Sequence, residues 1–179
     1  MKIKDKGGNY ISFRGLNEGK ISELDRLVVK CLEAEPFALV CAIGNKGVGK
    51  STFGRYVRLN GFGSFQPRDI AVIDDGCMSV DVAFFFRRKY TNPCHGVDEL
   101  RPFYKFCRSK KVVFYIDATP ENRITKASVL LRLFTDEDTR LQRLIKRKGQ
   151  EAGTDLFLRT KEYPGTFNIS YKYELEVEL

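Results

Sequence analysis

The 179-residue chain has one histidine, His95, and its cysteines, at positions 31, 41, 77, 94 and 107, never fall into a Cys-x-x-Cys spacing. Cys94-His95 is the only cysteine–histidine neighbour pair. With no second close pair to complete a tetrahedral ligand set, a zinc site is not expected. Cys31 and Cys41 fall in apolar segments expected to be core, which fits reduced structural thiols rather than a disulfide framework. No apolar run approaches the roughly 20 residues of a membrane-spanning helix. Met1-Lys2-Ile3-Lys4-Asp5-Lys6 lacks the apolar stretch of a secretory signal. The expectation is a cytoplasmic protein with no membrane partner. Repeats and low-complexity segments are absent as well. What remains is 42% apolar and 30% charged, the composition of one globular domain with a sizeable core. The net charge of +8 calls for an anionic ligand or partner: a nucleotide, a polynucleotide end or an RNA surface would each satisfy it.

One stretch is specific. Gly44-Asn45-Lys46-Gly47-Val48-Gly49-Lys50-Ser51 fills every fixed position of the phosphate-binding pattern G-x-x-x-x-G-K-[ST]. Before it, Phe37 to Ile43 is a continuous apolar run, as in a strand buried on both faces of a parallel sheet. After it, Thr52 to Leu59 has helical spacing and stops at Asn60-Gly61. Glycines let such a loop curl so that successive N–H groups converge on one point, and the following helix adds its positive end. Gly44 to Thr52 are therefore the expected contacts to a nucleoside triphosphate, with Lys50 reaching the β- and γ-phosphates and the Ser51 hydroxyl ligating Mg²⁺.

Around this unit, residues 2–14 resemble a hairpin turning at Gly7-Gly8-Asn9. Ile21, Leu24, Leu27, Val28, Cys31 and Leu32 recur at helical spacing, predicting a helix against the sheet that ends before Pro36. Asp69 to Ile73 reads as a second buried strand closing on Asp74-Asp75-Gly76. Carboxylates at that end of a strand lie where open α/β sheets bind ligands, so Asp74 and Asp75 are either a general base or magnesium-shell acid, or a solvated turn. Val80, Val82, Phe84, Phe85 and Phe86 read as core, or else as a base-stacking platform, and Arg87-Arg88-Lys89 as a solvated helix end or a site for an acceptor phosphate.

Asp98 to Arg108 predicts a short helix with Pro102 in its first turn. Val112 to Ile116 closing on Asp117 has the form of a Walker B strand, making Asp117 a candidate metal or catalytic acid. Ser128 to Phe134 is a further strand. Beyond it, Leu141, Leu144 and Ile145 mark one helix face, and Arg140, Arg143 and Arg147 another. Such a row is either a solvated basic face or a means of neutralising a transferred phosphoryl group. Glu151 to Thr154 reads as a break, Asp155 to Tyr163 as a helix, and Phe167 to Leu179 as a long alternating strand. Its acidic face suits pairing with the Lys2, Lys4 and Lys6 strand; left unpaired, it is an edge for another subunit.

The order of these elements, together with Asp136-Glu137-Asp138-Thr139-Arg140-Leu141-Gln142-Arg143-Leu144-Ile145-Lys146-Arg147, resembles the P-loop nucleoside and nucleotide kinases over about Phe37 to Ile169. The last segment is similar to the start of the lid in thymidylate, deoxynucleoside and dephospho-coenzyme A kinases. Ile116 to Arg123 is similar to the segment after the Walker B strand in polynucleotide kinases.

The resemblance implies a three-layer P-loop α/β domain, extended by terminal strands. It also implies ATP- and Mg²⁺-dependent phosphoryl transfer to a nucleoside, nucleotide or polynucleotide 5′ end. Ser51 and Asp117 would hold the metal, Asp74 or Asp75 would face the acceptor, and Arg143 and Arg147 would be lid arginines. The layout is then a single domain over 1–179: a hairpin over 1–15, a nucleotide-binding core over 37–165 with a lid-like segment over 140–162, and a terminal strand over 167–179.

Two other classes compete. Asp74-Asp75-Gly76 has the wrong spacing for a switch GTPase, and Thr125-Lys126-Ala127-Ser128 lacks the guanine-reading Asp. The run Gly47 to Arg55, preceded by the helix from Ile21, is also similar to the small ATPases that assist tRNA threonylcarbamoyl modification. These act as modules of a complex and carry no lid arginines.

Overall fold

The computed structural model describes residues 3–4, 10–11, 18–82, 85–90, 97–162 and 167–179. Its first pieces are β1 (Ile3–Lys4) and β2 (Tyr10–Ile11), paired antiparallel as the expected hairpin requires. The Gly7-Gly8-Asn9 turn lies outside the described residues. Helix α1 (Glu18–Leu32) buries Leu24, Leu27, Val28 and Cys31, the stripe that its spacing predicts.

Strand β3 (Ala38–Ile43) is buried along almost its whole length and feeds the Gly44–Gly49 loop into α2 (Lys50–Asn60). Phe53 and Val57 of α2 face the core, and Gly61, at φ 76°, stops the helix with its N–H on the Val57 carbonyl. Next come β4 (Ile70–Asp74), β5 (Cys77–Val82), β6 (Phe85–Tyr90), α3 (Arg101–Cys107) and β7 (Val112–Ile116). The chain then forms β8 (Lys126–Phe134), α4 (Glu137–Lys148), α5 (Gln150–Arg159) and β9 (Ser170–Glu178).

Among the described residues the large sheet has seven strands in the order β6-β5-β4-β7-β3-β8-β9. Strands β4, β7, β3, β8 and β9 run parallel, while β5 and β6 extend one side antiparallel. The fold is thus α/β with a mostly parallel sheet. Alternation along the strands gives two apolar faces. One carries Val40, Ala42, Phe114, Leu131 and Leu175 beneath α1 and α2; the other carries Cys41, Ile43, Ile73, Tyr115 and Leu130 beneath Phe103 and Cys107 of α3.

The sheet order positions the candidate site. From β3 the chain passes over β7 to build β4, returns to lay β7 beside β3, then crosses to the far side for β8. The order therefore reverses at β3, and the carboxyl ends of β3, β4, β7 and β8 share the edge at such a switch point. Among the described residues, no helix is long and apolar enough to cross a membrane.

Four expectations change. Arg87-Arg88-Lys89 lie in β6, which pairs antiparallel with β5 and is an edge strand among the described residues, and not at a helix end. The expectation that Val80, Val82, Phe84, Phe85 and Phe86 are core falls outside what the structure describes. The break predicted at Glu151 to Thr154 sits earlier, at Gly149 with φ 90°, and Gly153 is helical. There the missing side chain lets α5 approach α4: a Cβ on Gly153 would stand 2.6 Å from the Ile145 Cα.

The terminal strand forms, but it pairs in parallel with β8 instead of with the N-terminal lysine strand. Leu175 and Val177 join the core under α1, Glu174 ion-pairs with Arg132 of β8, and Lys172 reaches Glu35 at 2.6 Å. Among the described residues no strand covers the outer edge of β9. Finally, Arg140 does not belong to a solvated row: it is 0% exposed.

Candidate functional site

The loop between β3 and α2 takes a path that its glycines make possible. Gly44, Gly47 and Gly49 have φ of 148°, 92° and 112°, where a side chain is strained. A Cβ on Gly44 would also collide with the Leu133 carbonyl, and one on Gly47 would press on Leu144 and Arg140 of α4. Helix α2 then starts at Lys50 with no side-chain cap on its first N–H groups. An uncapped helix start leaves amide donors and a positive dipole end at the same place.

Lys50 curls back over the loop. Its ammonium donates to the carbonyls of Gly44 at 2.5 Å and Asn45 at 3.1 Å. Burial lowers its pKa from the ordinary lysine value to about 8. Asp117 and Asp74 work against that shift, whereas Lys46 and Arg147 add to it. The charge is thus held in a partly dehydrated place, where it interacts strongly with an incoming anion.

Three acids predicted from the sequence lie on the same edge, in different states. Asp74, at the end of β4, accepts the Ser51 hydroxyl at 3.1 Å. Burial raises its pKa; the Ser51 hydrogen bond opposes this and the neighbouring Asp75 adds to it. Asp75 is exposed with φ 57°, and its N–H donates to the Ile116 carbonyl at 2.8 Å, tying the β4 end to β7. Asp117 follows β7 and is held by the Tyr115 hydroxyl at 2.5 Å and the amides of Ala118 and Thr119 at 2.6 and 3.1 Å. Its carboxylate receives the Tyr115 hydroxyl because residues i and i+2 of a strand share a face, and burial with this bond raises the phenol's pKa.

The carboxylate touching Ser51 is therefore that of Asp74, while Asp117 acts electrostatically on Lys50. A hydroxyl and a carboxylate oxygen are hard donors that suit Mg²⁺. Among the described residues no three His, Cys, Asp or Glu side chains converge into a metal cage. The donor set fits an ion held jointly with substrate oxygens, the usual arrangement for Mg²⁺.

The arginines of α4 separate into three environments. The helix itself is well specified: Asp136 caps it by accepting the Thr139 N–H at 2.7 Å, acids fill its first turn, and Lys146, Arg147 and Lys148 fill its last. Arg140 binds Glu137 through two donors, at 3.1 and 2.8 Å, and also reaches the Lys46 carbonyl at 3.3 Å and the Thr160 hydroxyl at 3.1 Å. Its guanidinium lies 4.2 Å from the centre of the Phe157 ring. Arg143 donates to the Val48 carbonyl at 2.8 Å and approaches the Leu179 backbone oxygen at 3.4 Å. Arg147 is exposed, and of the three it is the one whose charge registers at Lys50. Asn45 completes the join by donating its side-chain amide to the Thr160 carbonyl at the end of α5.

The structure thus brings Lys50, Ser51, Asp74 and Asp117 together, with Asp75 exposed beside them. It seats Arg143 against the loop's backbone and leaves Arg147 exposed, with its charge felt at Lys50. Sequence reasoning missed the Ser51–Asp74 contact and the anchoring of Asn45 and Arg140 to α5. Glu137, three residues before Arg140, was the one local signal for the latter; Phe157 and Thr160 carry none. No protein-family model matches the chain, and no curated protein sequence matches it.

Proposed function

We propose that the protein binds ATP with Mg²⁺ on the Gly44–Thr52 segment and transfers the γ-phosphoryl group to a nucleoside, a nucleotide or a polynucleotide 5′ end. The observation that carries this reading is the half-buried Lys50 ammonium, held on the Gly44 and Asn45 carbonyls beside the uncapped start of α2, with Ser51 and Asp74 in contact at the same sheet edge. The P-loop form of the α/β fold and the cytoplasmic setting belong to the same proposal.

In this mechanism the loop amides and Lys50 hold the triphosphate. Ser51 and Asp74 would hold the metal, with Asp117 supporting the acidic edge. Bound Mg²⁺ supplies charge neutralisation across the phosphate oxygens. Asp75, exposed at the end of β4, orients the acceptor hydroxyl and takes its proton as the oxygen attacks phosphorus and ADP leaves. Arg147, exposed and felt electrostatically at Lys50, screens the transferred phosphoryl group. The outer edge of β9 is where a second copy or a partner strand would add.

A second reading has one observation in its favour. Arg140 is buried and Arg143 is engaged with a loop carbonyl, which reduces the arginines available to a kinase lid and suits an ATPase module that works within a protein complex. Incubation with γ-labelled ATP, Mg²⁺ and a panel of nucleosides, nucleoside monophosphates and 5′-hydroxyl oligonucleotides separates the two. Label on an acceptor supports the kinase, and free phosphate alone supports the ATPase. Lys50→Ala should abolish either activity with the fold retained; undiminished turnover in that variant would sink the site assignment.

A further inference from the structure

Two guanidinium groups reach the Gly44–Ser51 loop from α4, and each takes a backbone carbonyl: Arg140 that of Lys46, and Arg143 that of Val48. In a trans peptide the C=O and the following N–H point in opposite directions, and no cis bond occurs among the described residues. With those two carbonyls turned to α4, the N–H groups of Gly47 and Gly49 face away from it. A cation on an amide oxygen draws density from the nitrogen and strengthens its N–H as a donor.

Packing alone gives no reason for the charge. Arg140 is fully buried among Leu144, Phe157 and the loop, where an apolar side chain would fill the space without a desolvation cost. Its acidic partner Glu137 has a side chain 56% exposed, so the ion pair does not require burial. The same device recurs at alternate peptides of one loop.

We propose that Arg140 and Arg143 are positioning residues that act on a bound polyphosphate through the 46–47 and 48–49 peptide groups, orienting and polarising the Gly47 and Gly49 N–H donors without touching the ligand. This rests on the nucleotide-binding reading above, and it gives the α4–α5 hairpin a role at the back of the loop.

The test uses the full chain with tripolyphosphate as the probe, followed by titration calorimetry and by the amide proton shifts of Gly47 and Gly49 in the saturated protein. Arg143→Gln keeps a donor for the Val48 carbonyl and removes the charge. It should weaken binding by about five- to tenfold, move the Gly49 amide upfield and leave both Gly47 and the thermal midpoint unchanged. Arg143→Lys should recover most of the affinity. Arg140→Lys should shift Gly47 and spare Gly49; if that variant does not fold, the Arg143 pair decides. Unchanged affinity in Arg143→Gln overturns the proposal. So does a loss of affinity with no selective change at Gly49, because that is long-range charge. If the wild-type protein binds neither tripolyphosphate nor ATP, the nucleotide reading itself falls; if it binds and the variants match it, only the through-peptide role falls.

Discussion

At the scale of single residues, Lys50 links the fold to the chemistry. Its pKa, lowered to about 8 by burial, means that the folded chain gives up this proton before the unfolded chain does. For stability the sign follows directly. Below about pH 8 the buried charge costs free energy, and the Lys50 contribution improves as pH rises toward the ordinary lysine value. For an anionic ligand the sign is opposite, since binding wants the proton on. ATP affinity should therefore fall by about tenfold between pH 7 and pH 9 while the fold holds, and Lys50→Ala should bind weakly with no such dependence. Calorimetric titrations at the two pH values check this. The Ser51–Asp74 contact gives a second expectation: Asp74→Asn should raise the Mg²⁺ concentration needed for half-maximal ATP binding by about tenfold or more, whereas Asp75→Asn should leave it unchanged and lower transfer to the acceptor.

The α4–α5 hairpin matters at the scale of elements. Gly149 provides the left-handed corner between the helices, and Gly153 lets their backbones meet. Gly153→Ala places a methyl group against the Ile145 backbone, which has no side-chain freedom with which to yield, so it should cost about 1–3 kcal/mol in urea unfolding. Because Thr160 at the end of α5 anchors both Asn45 and Arg140, the same variant should weaken triphosphate binding as well. Unfolding free energy and affinity measured together test that link; loss of stability with full affinity would separate the hairpin from the loop.

For the whole molecule, the sheet stands on two apolar faces, and its last strand belongs to one of them. Leu175, 4% exposed, packs beneath α1 with Val177, so Leu175→Ala should destabilise the domain by about 2–4 kcal/mol. A small effect would mean that β9 is a loosely added edge. The strand is also fixed by charge: Lys172 meets Glu35, which in turn accepts the Ser128 hydroxyl at 2.6 Å, while Ser128 accepts the Leu39 N–H at 2.9 Å. One small network thus joins β9, β8, β3 and the end of α1.

The elements were legible because their signals are local. The apolar run of β3, the 3.6-residue stripes of α1 and α2 and the period of two in β9 all act within a few residues, and each was read where it formed. The glycine pattern of the loop was equally local, since it reports the backbone path that the loop must take. Tertiary structure alone decided which strand lies beside which, and so that β9 joined β8 instead of the N-terminal strand. It also decided that Ser51 meets Asp74, 23 positions away, and that Arg140 turns inward to a ring and a hydroxyl on the next helix. Those partners depend on how the packed faces come together. A buried arginine and a solvated one are spelled the same way, and only the neighbours brought by folding make Arg140 a support for the loop and leave Arg147 facing water.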